Sequence, residues 1–134
     1  MFKKIKYSLL NARQKENYNF QKVSSVLADY GYTCIRLSDD WNGADFIATH
    51  TSKNEILRIQ LKARFTIDKK YINKDLFIAC SVGDKWFIYS HDAVVKFCKS
   101  KDLYTNSISW LENGLYSIIK PSELILDQFN KNIL

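Results

Sequence analysis

Within Gly43–Arg64, "GADFIATHTSKNEILRIQLKAR", most of the stretch alternates like a sheet hairpin, and one polar set breaks its apolar runs: a carboxylate at Asp45, an amide at Gln60 and an ammonium at Lys62. A fourth, Glu16, interrupts the apolar stripe of a predicted helix upstream. Carboxylate and amide oxygens held side by side are hard ligands suited to Mg²⁺. A lysine beside them can orient an attacking water or offset the charge that builds on a phosphate. Such a set has the layout of metal-assisted phosphodiester hydrolysis.

The elements that must position these residues follow from periodicity. Leu9, Ala12, Glu16, Phe20, Val23, Leu27 and Tyr30 recur at steps of three and four, which predicts a helix over about Ser8–Tyr30 that stops at Gly31. Glu16 lies in line with Phe20 and Val23, so it faces inward or toward a cleft. A short strand is expected in "YTCIRLS", and "DDWNG" reads as a turn in which Asp39 and Asp40 are turn formers, although either could approach the metal. The opening stretch then reads as two strands around "TSKN". With the turn centred between Ser52 and Lys53, opposed residues have numbers summing to 105. Asp45 then faces Gln60, Ala44 faces Leu61 and Phe46 faces Ile59. Opposed residues share a face, so Asp45, Gln60 and Lys62 fall on one side. Ala44, Phe46, Ile59 and Leu61 fall on the other, the core side. A one-residue slip would mix the two sets.

These residues resemble the PD-(D/E)xK nuclease superfamily, with its restriction-endonuclease-like fold. The pattern of that family is an acid at a strand end, (D/E/Q)xK on the next strand, and a preceding helix that often carries Glu. Small Holliday-junction resolvases and some intron-encoded homing endonucleases of this class are similar in size and layout. The resemblance covers about the first half of the chain, through Arg64. It implies that Asp45 binds the catalytic metal and that Gln60 binds it through its amide oxygen. Lys62 would position the nucleophilic water, and Glu16 would be a further ligand or hold a metal-bound water. The implied cofactor is Mg²⁺, with Mn²⁺ able to substitute, and the implied partner is DNA. Two departures stand out. Ala44 precedes Asp45 where the family pattern has Pro, and the neutral Gln60 stands where most relatives carry an acid. The long helix expected between the third and fourth strands is also hard to see in "FTIDKKYINKD", which reads as a loop or a brief helix.

The rest of the chain reads as two strands, "LFIACSV" and "KWFIYS", joined at Gly83–Asp84. A helix capped by Ser90 follows, then a weak signal around Trp110, a last strand in "LYSIIK" and a helix capped by Ser122. The expected class is α/β, a central mixed sheet with an N-terminal helix and C-terminal helices packed on it, in one nuclease-like domain over 1–134. At 134 residues such a domain can bury a real core without disulfides. His91–Asp92 is explained as a helix start rather than a general base.

A net charge of +6 favours a polyanionic partner. Arg58, Arg64, Lys69, Lys70 and Lys74 crowd just after the site and suit phosphate contacts as well as they suit a solvated loop. Trp41, in the loop leading to Asp45, could touch a base or sugar. The three cysteines are widely spaced and odd in number, which suggests reduced thiols in a cytoplasmic protein without a disulfide framework. No apolar run is long enough to span a membrane. Cutting both strands at one site would require a homodimer or higher oligomer. Against the endonuclease reading stands a non-catalytic nucleic-acid-binding or protein-interaction module on the same fold. In that case Glu16 could simply pair with Lys62 or Arg64.

Overall fold

The computed structural model describes residues 1–134. A single 3₁₀ turn, Tyr7–Leu9, precedes the first helix, α1, at Ala12–Ala28. The helix starts later than its apolar stripe suggests because Asn11 and Gln14 form a reciprocal cap: each side chain accepts the other's backbone N–H at 2.9 Å. Leu9 and Tyr30, at the ends of the stripe, are exposed, while Val23 and Leu27 are buried.

Strands β1 (Tyr32–Trp41), β2 (Ala44–His50), β3 (Ile56–Leu61), β5 (Phe77–Val82) and β6 (Lys85–Ser90) form one sheet in that spatial order. The β3–β5 pair is parallel and the others are antiparallel, so the sheet is mixed. A two-stranded antiparallel sheet of β4 (Phe65–Asp68) and β7 (Leu115–Ile118) lies apart from it. Helices α2 (His91–Ser100) and α3 (Glu123–Gln128) complete the α/β architecture. Ser90 Oγ accepts the Ala93 N–H at 3.4 Å and Ser122 Oγ accepts that of Leu124 at 3.2 Å, the two expected caps. Trp110 falls in one short helical turn, Ser109–Asn113, and is buried.

Side chains alternate between two cores. On the α1 face, Val23 and Leu27 pack with Phe46, Ala48, Ile59, Ala79 and Ile88. On the opposite face, Ile78, Cys80, Phe87 and Tyr89 pack with Phe65 and Ile67 of the small sheet and with Val94 and Ile125 of the helices. Each such large aliphatic or aromatic side chain contributes about 1.5–3 kcal/mol by leaving water.

The crossover between parallel strands β3 and β5 differs from the expected loop or brief helix. It holds strand β4 and then one 3₁₀ turn, Lys69–Tyr71. All four residues of β4 are buried. Its backbone is served partly by a side chain: the Tyr89 hydroxyl donates to the Thr66 carbonyl at 2.7 Å and accepts the Thr66 N–H at 3.1 Å. Asp68 N–H donates to Nε2 of the fully buried His91 at 3.0 Å.

Candidate active site

The hairpin register around "TSKN" matches the sequence reading. Phe46 pairs with Ile59, Ile47 with Arg58, Ala48 with Leu57 and Thr49 with Ile56. The regular pairing ends there, before Asp45 and Gln60. The carboxylate of Asp45 instead accepts the backbone N–H of Leu61 at 2.8 Å. A charge-assisted bond of this kind stabilises by about 1.5–3 kcal/mol.

The reason lies on the other edge of β2. The β1–β2 register runs from Arg36↔Phe46 to Trp41↔Ala44, so Leu37, Ser38, Asp39 and Asp40 stand against Asp45 alone. This wide bulge bends β1 around Asp45. It also turns the start of β2 over: Ala44 packs in the core opposite α1, with Tyr71 and Leu76, and not beside Phe46 and Ile59 as the alternation implied. The "DDWNG" turn is therefore shorter than expected. Asp39 and Asp40 belong to β1, and the turn is Asn42–Gly43, both at positive φ (51° and 89°). That is the two-residue turn that Asn-Gly favours. A Cβ on Gly43 would lie 3.2 Å from Tyr71 and 3.3 Å from Leu76, a tight fit that adds to the strain of the positive φ.

The bulge opens a polar cavity of about 600 Å³ between α1 and β1. Arg13, Glu16 and Asn17 line it from α1, Arg36, Asp39 and Asp40 from β1, and Asp45 from β2. Burial pushes the Asp45 carboxyl above the ordinary carboxylate value. The Leu61 N–H pulls it back, the charges of Glu16 and Asp40 raise it further, and that of Lys62 lowers it. Asp45 thus senses two carboxylates and one ammonium. Glu16 is engaged at rest, with its Oε2 3.9 Å from the Arg36 guanidinium. Arg36 also donates to Asn17 Oδ1 and lies 5.5 Å from the centre of the Phe20 ring.

Glu16 and Asp45 are thus brought together, and Lys62 stands within electrostatic reach of Asp45. Just past β3, Lys62 is fixed by its N–H to the Ala79 carbonyl at 2.9 Å, and its ammonium lies 5.5 Å from the Tyr71 ring centre. Gln60 is the exception. It does not line the cavity, and its Nε2 donates to the Leu61 carbonyl at 3.3 Å. Asp40, read from the sequence as a turn former, takes a place on the cavity wall. Arg13, Asn17 and Arg36 were missed. Arg13 shares the helical face of Glu16 at i−3, and Asn17 follows Arg13 at i+4, a signal available from spacing; Arg36 and Asp40 depend on a bulge that alternation does not reveal.

The residues expected to contact nucleic acid are divided. The Arg58 guanidinium lies 5.1 Å from the ring centre of half-exposed Trp41 and 3.2 Å from Asp75. Arg64 Nε donates to Ser117 Oγ at 2.7 Å. Lys69 lies over Trp110 at 5.4 Å, and Lys70 pairs with Asp68 at 3.8 Å. Lys74 is exposed. Most of this group therefore has partners within the chain.

The donor set suits a hard divalent cation in kind. Mg²⁺ takes one or two carboxylates and keeps several waters, and Asp45 with Glu16 or Asp40 supplies those oxygens. No three acidic, His or Cys side chains are gathered tightly enough to form a preassembled cage. No helix is long and apolar enough to cross a membrane. No protein-family model matches the chain, and no curated protein matches its sequence.

Proposed function

We propose that the chain is a metal-dependent DNA endonuclease on a restriction-endonuclease-like fold, hydrolysing phosphodiester bonds at Asp45. The observation that carries this reading is the convergence of Glu16, Asp40 and Asp45 on one cavity, with Lys62 close enough to act on the Asp45 charge. Asp45 would hold Mg²⁺ or Mn²⁺, with Glu16 or Asp40 as the second oxygen donor. A bound divalent ion supplies Lewis acidity toward the phosphoryl oxygens and lowers the pKa of its water. The chain's own contributions are separable. The Leu61 N–H fixes the orientation of Asp45. The Lys62 ammonium orients the attacking water or stabilises the charge that builds on the phosphate. Arg13 from α1 and Arg36 from β1 line the same cavity and would receive phosphate oxygens once the acids are neutralised by the metal.

Gln60 supports a second reading. Its amide nitrogen is directed to its own strand's carbonyl, and the site has no third acid on β3. A nucleic-acid-binding module that has lost catalysis would tolerate this arrangement.

A nicking assay on duplex, branched and single-stranded DNA with Mg²⁺ or Mn²⁺ separates the two. Cleavage that falls about 100-fold or more in both Asp45→Ala and Lys62→Ala is the expected result. Cleavage unchanged in these variants would overturn the assigned roles. Salt-dependent DNA binding without cleavage under either metal would favour the module.

A further inference from the structure

Lys62 has a second environment. Beyond it, between α1 and the β5–β6 hairpin, runs an open groove of about 370 Å³. Three aromatic side chains line it, Tyr7, Tyr18 and Trp86, together with Lys22, Lys62 and Lys85. Asp84, at the hairpin turn, is the one acid on its rim. Tyr7 and Tyr18 are 40% and 37% exposed. Both have contacts that orient them. Their ring centres are 5.2 Å apart, and the Tyr7 hydroxyl accepts from Asn19 Nδ2 at 2.9 Å. The ammonium of Lys15 lies 5.4 Å from the Tyr7 ring centre and that of Lys22 lies 5.3 Å from the Tyr18 ring centre. Trp86 is held through its backbone, which exchanges hydrogen bonds with Leu134 at 3.0 and 2.8 Å.

We propose that this groove holds an unpaired stretch of DNA strand flanking the phosphodiester presented to Asp45 and Lys62. The proposal rests on the nuclease reading above and adds the form of its substrate. Lysines along a groove track phosphates, and exposed aromatic rings stack on bases with little regard to sequence. A blunt duplex satisfies only the first of these, because its base faces are already stacked inside the helix. Tyr7 and Tyr18 belong to neither core, whereas Trp86 also packs on the α1-face core; the two tyrosines therefore favour a frayed, branched or single-stranded substrate. Lys62 lines the groove and its charge reaches Asp45 in the acidic cavity, so a strand lying in the groove has its backbone led toward the acids.

The test is fluorescence anisotropy of the full chain with a labelled oligothymidylate and with a blunt duplex, both in EDTA so that nothing is cut. Wild type should bind the single strand more tightly. Tyr18→Ala, a change on an exposed helix face that favours helix formation, should weaken single-strand binding by about tenfold and leave the duplex almost unaffected. Tyr18→Phe, which keeps the ring, should bind as wild type does. Lys85→Gln should lower the salt slope by about 0.7. Equal affinity for the two DNAs, or single-strand binding unchanged in Tyr18→Ala, overturns the proposal. The outcome is separable from that of the nuclease reading. Loss of cleavage in Asp45→Ala with Tyr18→Ala still binding normally would sink only the groove. Tyr18-dependent strand binding with no cleavage under any metal would sink only the nuclease.

Discussion

The carboxylate of Asp45 accepts the backbone N–H of Leu61 at 2.8 Å, so the residue to which we assign the metal also ties β2 to β3 where their ladder ends. The same carboxylate is half-buried and feels the charges of Glu16 and Asp40. Its hydrogen bond favours folding, and its charge opposes it.

Asp45→Asn separates the two. An amide oxygen can still accept from Leu61, while burial of a charge and repulsion from two acids disappear. Without divalent metal, the variant should melt about 3 °C higher, a gain below about 1 kcal/mol. Burial chiefly raises the Asp45 pKa, so the wild-type carboxyl becomes protonated as pH falls through that raised value. The advantage of Asn therefore shrinks at low pH. Calorimetric melting across pH checks this, and Mn²⁺ titration should show binding lost. A lower melting point at neutral pH would mean that the charge itself supports the fold.

On the proposed reading, Arg36 would compete with a metal for Glu16. The pair is 3.9 Å apart and partly exposed, which makes it worth about 0–1 kcal/mol. Arg36→Gln should therefore tighten Mn²⁺ binding by up to about fivefold, measured by isothermal titration calorimetry, while cleavage falls through loss of a phosphate contact. Weaker Mn²⁺ binding would show instead that Arg36 organises the acids.

Tyr89→Phe removes the hydroxyl that serves both the N–H and the carbonyl of buried Thr66. Two backbone groups lose their partner away from water, which should cost about 2–3 kcal/mol. Urea unfolding would show a lower midpoint at unchanged slope. A loss below about 0.5 kcal/mol would mean that water takes the place of the hydroxyl.

His91 should make the fold acid-sensitive. Burial lowers its pKa from 6.5, an effect partly offset by the charges of Asp92 and Asp68. Its Nε2 must stay unprotonated to accept from Asp68 N–H. The unfolded chain therefore binds the proton first. Stability should be fully present above pH 6.5, fall as pH drops below that value, and level off once the folded pKa is passed. His91→Gln, which keeps an acceptor but does not titrate, should lose this part of the pH profile in a series of thermal melts. An unchanged profile in the variant would assign the acid sensitivity to carboxylates.

Much of the hairpin was legible because one apolar set fits only one register. Phe46, Ala48 and Ile59 face α1 as the alternation requires. The same rule misplaced Ala44, because it assumes one residue per strand position, and the bulge of Leu37–Asp40 breaks that assumption. Asp40 was misread for the same reason: Asp-Asp before Trp-Asn-Gly looks like a turn until Asn42–Gly43 is seen to complete the turn alone. Strand β4 was overlooked because "FTID" is short, buried on both sides and set among basic residues. Its partner is Leu115–Ile118, far along the chain, and no local pattern encodes that pairing. Gln60 was expected beside Asp45 but lies off the cavity that Asp45 lines; whether a side-chain amide turns to a metal or to its own backbone is decided by neighbours, not by spacing.

The Asn42–Gly43 turn also bears on the order of assembly. Closing a two-residue hairpin takes microseconds, whereas parallel pairing must wait for a long loop to close. Asp45, two residues beyond the turn, would meet the bulged acids of β1 during the earliest local folding. Lys62 is fixed only when β3 docks on β5 across the β4 crossover. For that interval the acids would stand together without their ammonium, so the nascent site would repel itself until the slower half of the sheet arrives.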